Sequence, residues 1–248
     1  MKKKLLTREQ FEKLRRRAAA RMARDKALIR DSRKLLVRAD KHYWIHQPNW
    51  FGEPVLQLAQ DIVALQEIIY ETRPDYIIEV GTAWAGSLLF YSSLMEVLGG
   101  KKIIGIDIYI PPDLRRRISR FGKLSKRIQF IEGSSIDPAI VARVRRLIGR
   151  SKRVLVHLDS HHSHDHVLAE LKAYAPVVGR GQYLICGDTI VEHMGAANRD
   201  RPWGPGNNPM TAMREFMKGN KDFVIDHSVD DKLLFSCNPD GYLRRVRA

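Results

Sequence analysis

No apolar run in this 248-residue chain reaches the roughly 18 residues that a membrane-spanning helix needs. The charged N-terminus is not followed by an apolar stretch of the secretory kind, so a cytoplasmic protein is expected. Cysteine is scarce. Cys186 and Cys237 stand far apart, without the short spacing of metal sites, and free buried thiols are expected. Glycine and proline are missing from residues 7–41, which are rich in Ala, Arg, Lys and Leu. That segment should form one or two basic helices, with Thr7 and Gln10 spaced as a capping box. Acidic residues are also sparse there. Residues 1–41 hold 16 Lys/Arg against 5 Asp/Glu, a local net charge of +11 out of +15 for the chain. No nucleic-acid recognition motif accompanies the charge, so no nucleic-acid partner is expected. A partner-packing helix or a peripheral contact with an anionic surface fits better.

Two phosphate-binding signatures are absent from the most informative stretch, Tyr76–Ser87. Gly81-x4-Gly86-Ser87 has the spacing of a phosphate loop but no lysine before the serine. The G-x-G-x-x-G dinucleotide pattern is missing too, because Thr82 and Ala83 follow Gly81. What is present is an apolar strand ending at Glu79, a glycine turn, an apolar helix, and a second strand, Ile103–Asp107, ending in an acid suited to ribose hydroxyls. This arrangement resembles the S-adenosylmethionine (SAM) loop of class I methyltransferases. Read without that resemblance, the glycines make a tight bend and no more.

Further strands are expected at Ile128–Glu132, Arg153–Leu158 and Gln182–Gly187, with helices at Ser87–Leu98, Ala139–Ile148 and Val167–Tyr174. A helical pattern also begins at Pro54 and ends near Arg73. Phe223–Asp226 and Leu233–Ser236 read as a closing hairpin. The alternation implies an α/β fold: a doubly wound, mostly parallel, seven-stranded Rossmann-like sheet with a C-terminal antiparallel hairpin and an N-terminal basic helical arm. The expected division is residues 1–50 as arm and aromatic linker, and residues 51–248 as the α/β domain. In such sheets ligands sit at the carboxyl ends of the strands. Those ends carry Glu79, Asp107, Ser134, Ser135, Asp159 and Asp188. Four histidines, His161, His162, His164 and His166, follow Asp159; Ser163 or Asp165 could cap the helix they open. Asp159 and Asp188 could share a hard divalent cation such as Mg²⁺. The Gly/Pro/Asn loop over residues 203–210 is a candidate substrate wall.

Together, Glu79–Ser87, Gly105-Ile-Asp107, Leu158-Asp159-Ser160, the alternating His162, His164 and His166, Asp188-Thr189 and Gly204–Met210 resemble the cephalosporin hydroxylase / rhamnosyl O-methyltransferase family over roughly residues 45–240. The resemblance implies a SAM-dependent O-methyltransferase acting on a sugar or glycosylated natural product, in a homo-oligomer. It implies Glu79, Gly81, Thr82 and Ser87 at the methionine end of SAM, Asp107 at the ribose, Ser134 and Ser135 near the adenine, and Asp159 beside the cofactor. It further implies Asp159 and Asp188 as Mg²⁺ ligands and His162 as the base. Metal-dependent relatives tend to carry Glu directly before the second aspartate; here Gly187 stands there, and a water, His162 or Glu192 would have to complete the shell. Two other readings compete. One is a hydroxylase using His161, His162 and Asp159 for iron; the other is a non-catalytic SAM-binding module.

Overall fold

The computed structural model describes residues 5–195 and 201–247. Lys2–Lys4 of the basic arm, and 196–200 of the segment before Trp203, lie outside the described residues. Among the described residues no helix is long and apolar enough to cross a membrane.

The arm forms two helices, α1 (Arg8–Arg24) and α2 (Lys26–Asp40). The Thr7 hydroxyl accepts from Gln10 N at 3.2 Å and Gln10 Oε1 accepts from Thr7 N at 2.9 Å, completing the capping box. No residue of α1 is buried, whereas α2 sends Leu36 into a small cluster with Ile45, Leu58, Ile190 and Cys237. A two-stranded ribbon follows, β1 (Asn49–Trp50) with β2 (Glu53–Pro54), and then α3 (Ala59–Thr72). Pro54 thus belongs to the ribbon, and the helix expected from that point begins five residues later.

The body alternates as expected, with one helix, α5, beyond those expected: β3 (Tyr76–Val80), α4 (Gly86–Leu98), β4 (Lys102–Asp107), α5 (Pro112–Ser119), β5 (Ile128–Glu132), α6 (Pro138–Ile148), β6 (Val154–Leu158), α7 (His164–Tyr174) and β7 (Tyr183–Cys186). Then come α8 (Pro209–Gly219), β8 (Phe223–Ile225), α9 (His227–Asp230) and β9 (Tyr242–Arg245). The sheet order is β5-β4-β3-β6-β7-β9-β8, parallel through β7, with β9 antiparallel to both its neighbours. Alternate residues feed two apolar layers. Ile78, Ile104 and Val156 face α6, α7 and α8; Ile77, Ile103 and Leu155 face α3, α4 and α5.

The expected hairpin partner, Leu233–Ser236, is not a strand. Asp226 accepts from Ser228 N and starts a helical turn there, so the chain pairs later, at Tyr242–Arg245. The residues before β9 are committed elsewhere: the Ser236 hydroxyl and Cys237 N donate to the buried Asp61 carboxylate at 2.7 Å each, and the Tyr242 hydroxyl joins them at 3.0 Å. Burial pushes the Asp61 carboxyl above its ordinary range, against those three donors. Both cysteines are free and buried, as expected.

The connection order reverses between β3 and β6, and the two strands end side by side. Gly81, at φ +89°, leaves β3 so close to β6 that a Cβ there would sit 1.9 Å from the Asp159 carbonyl oxygen. Gly86, at the start of α4, is pressed against the ribbon, where a Cβ would come within 2.2 Å of the Pro54 carbonyl oxygen. Only glycine fits either position.

Replacing Gly81 by Ala should therefore cost well over the 1–3 kcal/mol or so of a strained backbone conformation, because the clash is with main chain. An unchanged denaturation midpoint would contradict this. A second expectation concerns Asp230, whose Oδ1 accepts from Asp240 N while its buried Oδ2 has no partner among the described residues. Burial, and then the Asp240 charge, push its carboxyl up to about 8. The folded value lies above the unfolded one, so the stability this group contributes is complete below the ordinary aspartate range and is lost as pH rises through about 8. Asp230→Asn should match the parent in thermal melts near pH 4 and melt higher than the parent above about pH 8.

Candidate active site

One large cavity, about 730 Å³, opens at the carboxyl ends of β3, β4, β5, β6 and β7. Its volume lies within the roughly 300–1,000 Å³ typical of small-molecule sites. Gly81, Thr82, Ser87, Asp107, Ser134, Ser135, Asp159, His162 and Asp188, all singled out from sequence, line it. Glu79 does not. Its carboxylate is buried below the floor, accepting from the Ser87 hydroxyl at 2.7 Å, with His157 Nδ1 at 3.5 Å. The two residues are opposed across β3 and β6, and the Tyr91 hydroxyl reaches the same Nδ1 at 2.9 Å. Glu79 thus bears on the cavity through Ser87.

The turn after β3 is wired to β4. Asp107 Oδ2 accepts from Thr82 N at 2.8 Å, from the Thr82 hydroxyl at 3.2 Å and from Ala83 N at 3.3 Å. Within this turn Ala83 and Ala85 stand at positive φ, +39° and +62°, a backbone that a non-glycine residue adopts only when its surroundings demand it; Ala83 N is held by Asp107 and Ala85 N donates to the Thr82 carbonyl at 2.6 Å. Trp84 between them is pushed outward, half exposed, at the cavity rim. One carboxylate oxygen of Asp107 fixes the turn, which leaves the other for a ligand.

Behind Ser135 lies a hub that the sequence reading did not find. Glu170, wholly buried on α7, receives the Ser135 hydroxyl at 2.5 Å and the Ser160 hydroxyl at 2.6 Å on one oxygen, with His166 Nε2 at 3.1 Å. It joins the loop after β5 to the loop after β6. Its signal was an acid one turn beyond His166 among Val167, Leu168 and Leu171, where an unpaired carboxylate would be costly.

The four histidines divide. His164 turns away, to Thr211 and Glu215 of α8, and His166 serves Glu170. His161 Nδ1 faces the Ser163 hydroxyl at 2.9 Å; burial and then the neighbouring histidines hold its pKa below the usual value. Ser163 takes the helix N-cap position but makes no side-chain capping bond. His162 faces the acids: its Nε2 is 3.5 Å from Asp188 Oδ2, and ligand atoms of Asp159, His162 and Asp188 all lie within 4.8 Å of one another. Among the described residues His161 is not part of this group. Burial, and then Asp159, push the Asp188 carboxyl up to about 6, with His162 pulling it down. Asp188 also adopts a left-handed backbone, φ +53°, fixed by Asn238 Oδ1 accepting from its N–H at 2.9 Å.

Two carboxylates and an imidazole are a donor set that accepts a divalent cation, the carboxylates being the ligands Mg²⁺ prefers. Glu192 is not a member. Its carboxylate accepts from Gly206 N and Asn208 Nδ2 and holds the turn over 204–208. At Gly187 a Cβ would lie 3.1 Å from Asp159 Oδ1, so any side chain there would press on the first acid. The turn brings Trp203 over the histidines, its ring 5.0 Å from that of His161 and 5.2 Å from that of His162, edge to face in both cases. Of residues 203–210, the stretch expected to form a substrate wall, Trp203 lines the cavity.

The family described as Rhamnosyl O-methyltransferase/CmcI matches residues 41–246. A rhamnosyl O-methyltransferase of Mycobacterium leprae (strain TN) is 34% identical over 207 residues, covering 79% of this chain and 82% of the relative. One of Mycobacterium tuberculosis (strain ATCC 25618 / H37Rv) is 27% identical over 218 residues, covering 84% and 85%. Among solved structures, a CmcI structure described as Mg-SAM has a TM-score of 0.56 at 21% identity, over 80% of this chain and 76% of that one. The O-methyltransferase TomG from Streptomyces achromogenes, in complex with SAM, has a TM-score of 0.54 at 15% identity, over 88% and 90%. These two likenesses establish a shared fold. On the extent of the family match and the identity to the M. leprae enzyme, this chain belongs to the rhamnosyl O-methyltransferase/CmcI family.

Proposed function

We propose that the chain is a SAM-dependent O-methyltransferase whose acceptor is a sugar hydroxyl, assisted by a divalent metal. The observation that carries this reading is the convergence of the Gly81 turn, Asp107 and the Asp159/His162/Asp188 group on one cavity. The names of the relatives supply the acceptor class.

In this reading Gly81, Thr82 and Ser87 receive the methionine end of SAM, the open oxygen of Asp107 takes ribose hydroxyls, and Ser134 and Ser135 border the adenine. Asp159 and Asp188 would hold Mg²⁺, which would supply Lewis-acid chemistry that lowers the pKa of an acceptor hydroxyl. His162 takes the acceptor proton, and Asp188, 3.5 Å away, stabilises the imidazolium that results. The acceptor oxygen bonds the methyl carbon as the carbon–sulfur bond breaks, leaving S-adenosylhomocysteine. The chain's main contribution is to hold donor and acceptor in line. Because Gly187 supplies no third carboxylate, the metal site is one of modest affinity.

The arm belongs to a further contact. The absence of any buried residue on α1, together with Phe11 and Leu14 standing about half exposed, supports packing against a second copy or an anionic surface.

Three measurements test this reading. Calorimetry should show SAM binding that falls at least tenfold in Asp107→Ala. His162→Gln should lower kcat by about 10²–10⁴-fold with SAM affinity unchanged. Mg²⁺ binding should vanish in Asp188→Ala. No binding of SAM or S-adenosylhomocysteine, with or without Mg²⁺, would refute the donor site. Tight Mg²⁺ binding that survives Asp188→Ala would refute the metal assignment. Removing residues 1–24 should change the sedimenting mass or vesicle binding while leaving SAM affinity intact.

A further inference from the structure

The two ends of the cavity differ in how their polar groups are used. At the sheet end four hydroxyl side chains are already bonded to protein: Thr82 to Asp107, Ser87 to Glu79, and Ser135 and Ser160 to Glu170. The walls contributed from outside the sheet are the reverse. Asp40 at the end of α2, His46, Gln57 ahead of α3, and Trp203 all line the cavity. Among the described residues, each carries a buried polar atom with no hydrogen-bond partner: Asp40 Oδ1, His46 Nδ1, Gln57 Oε1 and Trp203 Nε1. Gln57 is only 4% exposed, and among the described residues its amide oxygen has no hydrogen-bond partner.

Four of the ten such orphaned atoms belong to the lining of this one cavity, so the pattern is local rather than scattered. An unmet buried polar group costs on the order of 1–3 kcal/mol, and a fold tolerates several together when a ligand meets them. The set is chemically mixed. The indole N–H only donates, the carboxylate only accepts, and the amide and imidazole do both. Such a mixture matches groups that donate and accept at once, which is the property of adjacent hydroxyls on a sugar ring. Trp203 adds a flat apolar face, and its packing on His162 places this wall beside the proposed base.

Resting on the sugar reading above, we propose that Asp40, His46, Gln57 and Trp203 form the acceptor subsite, which recognises a polyhydroxylated ring through hydrogen bonds the fold leaves unmade. Gln57 is its best-buried member, and the arm's second helix contributes to it through Asp40. The acceptor is thus gripped by segments that lie before and after the sheet strands of the donor site.

The test uses the full chain, with p-nitrophenyl α-L-rhamnoside as probe. Its binding to protein loaded with S-adenosylhomocysteine is followed by calorimetry, and its methylation is assayed with SAM. Gln57→Leu and His46→Phe, which keep shape and remove polarity, should weaken rhamnoside binding or raise its KM tenfold or more. SAM affinity should stay within twofold and the melting temperature should be unchanged or higher, since an unmet polar group has gone. A purely structural role predicts the opposite pair, a lower melting temperature with an unchanged KM, and that result would overturn the subsite. So would wild-type protein that binds S-adenosylhomocysteine but shows neither binding nor methylation of the rhamnoside. Protein that binds neither ligand would instead overturn the methyltransferase reading itself.

Discussion

The backbone of Gly81 lies against the carbonyl of Asp159, and the rest of the site depends on that contact. It exists because β3 and β6, far apart in sequence, are neighbours in the sheet and end together. The approach draws the turn after β3 and the first acid after β6 to the same point. Asp107 then secures the turn from the β4 side, and the ribbon against Gly86 secures it from the other. A loop held on three sides has little freedom left to lose, so a ligand that fits it pays little ordering entropy. The two alanines in left-handed backbone mark where that constraint is stored.

Around this fixed centre the molecule separates two tasks. Buried carboxylates under the floor, Glu79 and Glu170, are consumed in holding hydroxyl side chains at set positions. The acids at the rim, Asp159 and Asp188, are instead left facing each other and a histidine. Neighbouring carboxylates repel, and the rise at Asp188 records its burial first and that repulsion second. A cation between them would reverse both effects. The walls above, from the arm, the linker and the turn at Trp203, carry four buried polar atoms that have no partner among the described residues.

Much of this was legible from residue order, for a physical reason. Parallel strands buried on both faces must be apolar, so a polar residue at a strand end stands out, and the doubly wound topology places every such end on one side. Asp107, Asp159 and Asp188 were found that way. What escaped depended on packing between distant segments. Glu79 reads like a strand-end ligand, yet its side chain takes the face that points under α4, and one residue of alternation decides this. Glu170 sits inside a helix where no strand-end logic applies. Asp40 and His46 precede the expected domain, Gln57 lies near its start, and none of the three carries a motif. The last strand was misplaced because Tyr242–Arg245 looks polar, although Tyr242 and Leu243 are wholly buried, while Leu233–Ser236 looks apolar and is held by a carboxylate.

That carboxylate, Asp61, has a consequence for how the chain is made. It is buried near the start of α3, and the groups that satisfy it arrive 175 to 181 residues later. While the chain is emerging from the ribosome, α3 can form but cannot be buried without leaving a charge unmet. Contacts spanning such separations close late, after the loop entropy between them has been overcome. The first helix of the body is therefore sealed only when the final strand is in place. A chain released before Ser236 would lack more than a short strand, because its opening helix would still face the solvent and the quality-control machinery that recognises unburied surface.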